Sequence, residues 1–141
     1  MADAPPPLEA IFAADVLVGA PLTVGDVGKG TRRIVPITGG EFSGPAMRGK
    51  VLSGGADWQI LRGDGVAELE ARYTLQTDDG ALIHMTFDGI RDDQASPNPY
   101  FRTLPRFETA EPKYSFLNRL LAIGTGEVGA DGPLHTIEEL L

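Results

Sequence analysis

Two Asp-Gly connections between strand-forming runs constrain the fold more than any other feature of the sequence. They lie in Gly63-Asp64-Gly65 and Asp78-Asp79-Gly80 and separate residues 56–62, 67–77 and 81–91. Glycine adopts positive φ angles at little cost, so an Asp-Gly pair between strand-forming runs is a strong hairpin signal. The sequence therefore predicts three consecutive antiparallel strands in a meander.

The other apolar runs are also bounded by turn-forming residues, among 18 glycines and 11 prolines. They predict strands at 8–18, 31–38, 41–52, 99–108, 114–128 and 134–141, loops at 21–30, 92–99 and 110–113, and a turn at Gly39-Gly40. Pro36 is expected at a strand edge or a bulge. Helical spacing of Leu117, Leu120 and Leu121 leaves a helical turn open within 114–128, and residues 137–141 look locally helical. A strand is preferred for both segments, because strands surround the first and the second would close a sheet.

Eight or nine short strands at regular spacing indicate an all-β sandwich or closed barrel. A single antiparallel barrel, lipocalin-like in shape, is preferred because closure removes edge strands and because the glycine kinks suit it. We expect one domain over residues 8–141, preceded by a flexible Pro-rich tail at residues 1–7. A barrel of about eight strands is either filled by side chains or holds one small ligand.

Composition excludes several classes of function. The absence of cysteine excludes disulfides, thiolate nucleophiles and cysteine zinc sites. The net charge of -8 opposes nucleic-acid binding, which needs clustered Lys and Arg. The sequence shows no secretory signal and no run of the roughly 20 apolar residues that span a membrane, so a cytoplasmic protein without a membrane partner is expected. Because no Walker-type loop, nucleophile elbow or dinucleotide fingerprint is present, no cofactor is expected.

Asp57 and Arg33 are candidates for acid–base chemistry. If burial raises the pKa of Asp57, its carboxyl group could act as a general base, although it could equally cap the turn at Gly54-Gly55. Arg32 and Arg33 begin a strand, and alternation turns one of them inward. An inward guanidinium would bind a carboxylate or an enolate, and the alternative is a solvated charge or a structural ion pair.

Arg72, Tyr73 and His84 lie in the meander and are further catalytic candidates. Tyr73 belongs to the face that looks like core, and Arg72 to a polar face that is either the outer surface or a wet lumen. His84 could exchange protons near neutral pH, although a lone histidine in a strand is more often structural. A metal site is not expected, because several ligands are needed and His135 lies in a terminal loop far away in sequence.

Aromatic and polar residues predict the lining of a ligand pocket. Trp58 is either a rigid platform for a ligand or a core residue. Alternation places Tyr100 and Arg102 on one strand face and Phe101 on the other, in a segment that is either a pocket rim for an aromatic or anionic ligand or an edge strand with solvated arginines. Asn118 would add an amide donor. These five residues are the predicted substrate-binding set.

Spaced blocks along nearly the whole chain resemble one known family. They are Arg32-Arg33-Ile34-Val35-Pro36-Ile37-Thr38-Gly39-Gly40, Gly49-Lys50-Val51-Leu52, Gly54-Gly55-Ala56-Asp57-Trp58-Gln59, Ala71-Arg72-Tyr73, Asp79-Gly80-Ala81-Leu82-Ile83, Tyr100-Phe101-Arg102-Thr103, Pro105-Arg106-Phe107-Glu108, Leu117-Asn118 and Gly124-Thr125-Gly126. From about Leu8 to Gly126 the chain is similar to the small bacterial and fungal family catalogued as domain of unknown function three-two-three-seven. The resemblance implies a compact antiparallel β-barrel. The sequence departs from the family at its last stretch and at His84, where the family more often has an aromatic residue.

The candidate residues favour a small cofactor-free enzyme that acts inside the barrel on a carbonyl-containing aromatic or polyketide-like molecule. The reaction would be an isomerisation, cyclisation, hydration or lyase cleavage by proton transfer. Asp57 would be the base, His84 or Tyr73 the acid, and Arg33, Arg72 or Arg102 would hold the developing oxyanion. The alternatives are a non-catalytic binder or carrier of a hydrophobic anion and a structural subunit without a pocket. A homodimer is compatible with all three.

Overall fold

The computed structural model describes residues 4–94 and 98–141, and the regular structure in them is β apart from one short helix. The strands are β1 (Leu8–Val18), β2 (Leu22–Asp26), β3 (Thr31–Ser43), β4 (Arg48–Val51), β5 (Gly55–Leu61), β6 (Val66–Thr77), β7 (Leu82–Asp92), β8 (Tyr100–Glu108), β9 (Ala122–Val128) and β10 (Pro133–Leu140), and a 3-10 helix spans Pro112–Arg119. Residues 4–7 of the predicted tail are exposed and have no regular structure, whereas residues 1–3, like 95–97 of the predicted loop at 92–99, lie outside the described residues. The predicted all-β class is confirmed.

The strands close into a barrel because β1 pairs with both ends of the sheet. Antiparallel neighbours follow the order β1, β10, β9, β8, β7, β6, and β5 then connects β6 to β3. Residues 8–15 of β1 pair with β10, and residues 13–18 pair with β3, which completes the ring. The predicted barrel is therefore confirmed, with eight strands in the ring and β2 and β4 as two extra strands.

The meander of β5, β6 and β7 is confirmed close to its predicted bounds. Each strand pairs antiparallel with the next, and β6 alternates buried and exposed side chains over most of its length. Gly65 and Gly80 in the two connections have φ angles of 86° and 90°. Glycine is needed at both turns, since a side chain would be strained there.

Strand β3 is longer than predicted, and β2 lies inside a predicted loop. The turn expected at Gly39-Gly40 is wrong, because both glycines lie within β3, and the strand expected at 41–52 is divided between the end of β3 and β4. A Cβ atom at Gly40 would collide with the Asp15 carbonyl oxygen, so this glycine permits close approach of β1 instead of reversing the chain. The loop expected at 21–30 contains β2, which pairs with β3 around an irregularity between Thr23 and Gly25.

Pro36 occupies a place in β3 where its missing N–H leaves no gap in the pairing. Its carbonyl oxygen accepts a hydrogen bond from the Gly19 N–H at 2.9 Å. On that side the neighbouring chain leaves β1 and has not yet begun β2. The expected edge-like environment thus arises at the break between two neighbouring strands.

The long strand expected at 114–128 is wrong, since the 3-10 helix precedes the shorter β9, and residues 112–113 of the expected loop belong to that helix. Pro112 suits the start of the helix, because its missing N–H has no helical partner there. Tyr114 and Leu117, three residues apart, are the two buried side chains of the helix. The final strand, predicted at 134–141, is confirmed as β10.

One end of the barrel interior is filled with apolar side chains. Phe12 packs against Phe42 and Phe107, with ring centroids 5.3 and 6.0 Å apart. Leu75 and Ile83 are fully buried in the same core, which Tyr114 and Leu117 of the helix also join. This packing positions the strands, and their inward residues at the other end line a cavity.

Candidate functional site

The cavity has a volume of about 700 Å³ and mixes polar with apolar side chains. Its polar or charged lining residues are Arg33, Asp57, Gln59, Tyr73, Arg91, Asp131 and His135, and its aromatic ones, besides Tyr73, are Phe87 and Phe101. The chain around residues 16–21 and 128–133 contributes the rest of the rim. This volume falls in the range of small-molecule sites.

A chain of hydrogen bonds crosses from β3 to β5 in the cavity. Arg33 lies opposite Gln59 in the pairing of these strands, and Asp57 precedes Gln59 by two residues on the same face. The Arg33 Nε and Nη2 atoms donate to the Gln59 Oε1 atom at 3.0 and 2.6 Å. The Gln59 Nε2 atom donates to the Asp57 Oδ2 atom at 2.9 Å. An uncharged amide therefore separates the guanidinium from the carboxyl group.

Burial raises the pKa of the Asp57 carboxyl group above its usual value. Hydrogen bonds from the Gln59 amide and from the Glu70 backbone N–H, the latter 3.1 Å from Oδ1, oppose this rise, as do the charges of Arg91 and Arg33. The side chain therefore does not cap the turn at Gly54-Gly55. A carboxyl group whose pKa moves toward neutrality can both accept and return a proton.

Tyr73 and His135 are each only 3% exposed. Neither the Tyr73 hydroxyl nor the His135 Nδ1 atom has a hydrogen-bond partner in the described parts of the chain. Burial raises the pKa of Tyr73 far above its usual value, with a contribution from the negative charge of Asp57, so the phenol stays protonated. Burial also lowers the pKa of His135 to about 4, so its imidazole is neutral at neutral pH.

The structure brings four of the ten predicted site residues to the cavity: Arg33, Asp57, Tyr73 and Phe101. Arg33 is the inward member of the pair at 32–33, as alternation required. The Phe101 ring packs edge-on against His135, with centroids 5.3 Å apart. Phe87 contacts His135 and Tyr73 at centroid distances of 5.4 and 6.3 Å, so these rings form one continuous aromatic surface.

The other six predicted residues do not line the cavity, since five face outward from their strands and the sixth, Asn118, belongs to the 3-10 helix: Trp58, Arg72, His84, Tyr100, Arg102 and Asn118. The Arg72 guanidinium stacks 4.6 Å from the ring centroid of the half-buried Trp58, and the Arg102 guanidinium lies 5.1 Å from that of Tyr100. His84 is exposed on the outer face of β7. The Asn118 side chain bonds the backbone N–H and C=O of Thr109, both at 2.8 Å. From these positions the six side chains cannot contact a ligand in the cavity as expected from the sequence.

Sequence reasoning missed Gln59, Arg91 and His135, as well as Phe87 and Asp131, which also line the cavity. Gln59 follows Asp57 by two residues, and Arg91 shares the inward face of β7 with Phe87, so alternation alone could have found both. His135 was expected in a terminal loop, which is wrong, because it lies in β10 opposite Ala14 of β1. Only the closure of the barrel brings it into the same cavity as Asp57.

Two further observations concern metals and membranes. The described residues contain no group of three or more His, Asp or Glu side chains placed to hold a metal ion. No helix in the same residues is long and apolar enough to cross a membrane.

Fold and site together define a closed antiparallel β-barrel protein with a small-molecule-sized cavity at one end, in which charged and polar groups lie among apolar ones. Comparison with family models then gives a particular identity: the chain belongs to the family described as protein of unknown function (DUF3237), which matches residues 6–139. The expected family resemblance is confirmed.

Relatives support both the family and the fold. The chain is 39% identical to a UPF0311 protein of Rhodopseudomonas palustris over 144 residues, which is 93% of this chain and 94% of the relative. It is 32% identical to the hydroalkoxylation enzyme phnH of Penicillium herquei over 121 residues, 86% of this chain and 74% of that enzyme. The crystal structure of a beta-barrel like protein from Acinetobacter baumannii is similar with a TM-score of 0.92, 35% identity and 99% coverage of both chains.

Proposed function

We propose that this protein is an acid–base enzyme that rearranges a carbonyl- or phenol-bearing, aromatic or polyketide-like small molecule in the barrel cavity. The observation that carries the proposal is the convergence of one desolvated carboxyl group, Asp57, with the guanidinium groups of Arg33 and Arg91 in one cavity. A titratable group with a perturbed pKa beside specific charge partners is a physical signature of a catalytic site. Isomerisation, cyclisation, hydration and lyase cleavage are all reactions that a carboxyl group and two guanidinium groups can catalyse by proton transfer and oxyanion stabilisation.

Each polar group has a distinct role in the proposed reaction. A carboxylate oxygen of Asp57 takes the proton of a ligand hydroxyl group, whose O–H bond breaks and leaves the electron pair on the ligand oxygen. The positive charges of Arg33 and Arg91 stabilise that oxyanion. The protonated Asp57 then returns this proton to the ligand carbon, which restores the carboxylate. Tyr73 stays protonated and donates a hydrogen bond to the ligand, and the exposed His84 cannot act as the acid from outside the barrel.

The Penicillium relative supports cyclisation as the first reaction to examine, since its name specifies hydroalkoxylation. Hydroalkoxylation adds an O–H group across a carbon–carbon double bond. Within one molecule it forms a C–O bond, delivers the proton to carbon and closes a ring. The atoms balance without an oxidant or a reductant, so proton transfer is the only chemistry that the protein must supply.

The test is turnover of ortho-allylphenol to the cyclic methyl-dihydrobenzofuran. The reaction is run in heavy water, and the product is separated by chromatography and weighed by mass spectrometry, so that the carbon-bound deuteron is counted. We expect Asp57→Asn to lower the rate by about a hundred- to ten-thousand-fold, because the amide cannot take the proton. The circular dichroism of the barrel should be unchanged. Asp88→Asn, at an exposed carboxylate on β7, is the matched control and should keep the wild-type rate. An Asp57→Asn variant with wild-type turnover would exclude Asp57 as the base.

A second candidate is a non-catalytic binder of a hydrophobic anion, favoured by the pairing of two arginines with the Phe87 and Phe101 rings in one cavity. Such a protein needs no proton transfer. It should bind anilinonaphthalene sulfonate, as measured by fluorescence, and leave ortho-allylphenol unchanged. The enzyme and the binder should both hold this anion more tightly as Asp57 becomes protonated, since the cavity loses a negative charge. Turnover therefore separates the two candidates.

A further inference from the structure

Gln59 joins two groups of opposite charge that could otherwise reach each other. Arg33 is directly opposite Gln59 and diagonal to Asp57 in the antiparallel pairing of β3 with β5. Diagonal neighbours are about 7–8 Å apart, within the reach of a long side chain such as arginine. The residue directly opposite Asp57 is Val35, whose apolar side chain cannot form an ion pair or a hydrogen bond with the carboxyl group.

The orientation of the Gln59 amide follows from its partners. A guanidinium has only donors, so it must face the Oε1 atom, and both Arg33 contacts do so. The Nε2 atom is then left to donate to Asp57 Oδ2, which it does at 2.9 Å. Gln59 is itself buried, at 4% exposure, which holds the amide in this arrangement.

We propose that Gln59 is a positioning residue whose neutral amide stands between Arg33 and Asp57, prevents their direct ion pair and keeps the carboxyl group free to take a proton from the ligand. The amide can donate to Asp57 whether the carboxyl group is ionised or protonated, so the geometry survives the proton transfer. The Nε and Nη2 atoms of Arg33 donate to the Gln59 amide, and its Nη1 atom makes no hydrogen bond to other described residues. That atom is available for the oxyanion of the ligand.

The charged groups around Asp57 determine which cation would approach its carboxyl group if the Gln59 amide were removed. The ionisable side chains that face it are Arg33 from β3, Tyr73 from β6 and Arg91 from β7, with His135 of β10 and Asp131 of the rim lining the same cavity. Arg91 is already paired with Asp93, the Nε to Oδ1 distance being 2.8 Å. Arg33 is therefore the cation that a change at Gln59 would release toward the carboxyl group.

The inference rests on the proposed function for its purpose, but its test needs no substrate. Carbon-13 NMR of labelled aspartate side chains measures the pKa of Asp57, with Asp57→Asn assigning the resonance. We expect Gln59→Met, which keeps the length and removes the amide, to lower this pKa by about one unit or more, because the guanidinium moves to within ion-pair distance. Gln59→Asn, too short to reach both partners, should shift it in the same direction.

The control is the same pair of changes in an Arg33→Met background, where the pKa should no longer fall. A wild-type or higher pKa in folded Gln59→Met and Gln59→Asn would overturn the inference, and so would a fall that persists without Arg33. The two proposals fail separately. Wild-type turnover in Asp57→Asn rejects Asp57 as the catalytic base and leaves the spacer role of Gln59 intact. If Asp57→Asn loses turnover but the Gln59 variants leave the pKa of Asp57 unchanged, only the spacer role is rejected.

Discussion

At His135, burial determines the protonation state of a side chain that ordinarily titrates near neutral pH. Its ring lies between Phe87 and Phe101, at centroid distances of 5.4 and 5.3 Å. The described residues offer its Nδ1 atom no hydrogen-bond partner, so nothing offsets the cost of taking a charge out of water. The folded protein therefore resists protonation of this imidazole down to a pH of about 4.

This resistance predicts acid-sensitive stability. Between pH 6.5, the ordinary value, and about 4, the unfolded chain binds a proton at His135 that the folded chain does not, so the free energy of unfolding falls as the pH decreases. His135 leaves the free energy of unfolding unaffected above pH 6.5 and lowers it by about 3 kcal/mol below a pH of about 4. Urea unfolding at a series of pH values would measure the slope. His135→Leu should remove this component, while His84→Gln, at the exposed histidine, should retain it.

At the scale of elements, one carboxyl group connects the β6–β7 turn to the 3-10 helix. Asp79 accepts hydrogen bonds from Lys113 Nζ at 2.8 Å, from Thr77 Oγ1 at 2.5 Å and from Tyr114 Oη at 2.9 Å. These bonds, that of Lys113 foremost, hold the pKa of Asp79 well below its usual value. Because Tyr114 is buried in the core, the turn and the helix are stabilised together.

We expect Asp79→Asn to lower the melting temperature, since the ion pair is lost and three donors face a neutral amide. Asp78→Asn is the matched control, because the neighbouring Asp78 only pairs with Arg48 in solvent and such pairs contribute little. The depressed pKa gives the sign of the pH effect. The stabilisation that ionised Asp79 contributes is present above the ordinary carboxyl pKa of 3.8 and is lost as the pH falls below that value. Equal melting temperatures for wild type and Asp79→Asn would contradict this account.

At the scale of the whole molecule, the barrel is packed at one end and open at the other. Leu75 belongs to the packed end and is completely buried. Leu75→Ala should reduce the free energy of unfolding by about 2–5 kcal/mol, because it leaves a cavity among close-packed side chains. Denaturant titration measures the loss. Leu104→Ala on the outer face, where the side chain is 63% exposed, should change stability little, and a comparable loss there would contradict the division between core and surface.

Local sequence patterns determined much of the fold. The Asp-Gly turns and the alternation in β6 and β8 are decided by backbone conformation and by burial of every second side chain, and both are visible in a single run of residues. A helical turn within 114–128 was the open alternative to the preferred strand, because helical spacing that covers barely two turns does not decide between them. There tertiary burial of Tyr114 and Leu117 decides between helix and strand.

The sequence by itself determined that this chain forms a β-barrel of the DUF3237 family and that Arg33, Asp57 and Tyr73 carry chemistry worth testing. Only the tertiary structure decided which candidates share a cavity, since it turned Arg72 and His84 outward and brought in Gln59, Arg91 and His135. The reason is register: side chains alternate between faces at each residue, and the pairing of strands distant in sequence selects the face that looks inward. His135 meets the site because β10 closes the ring against β1, a contact between the two ends of the chain.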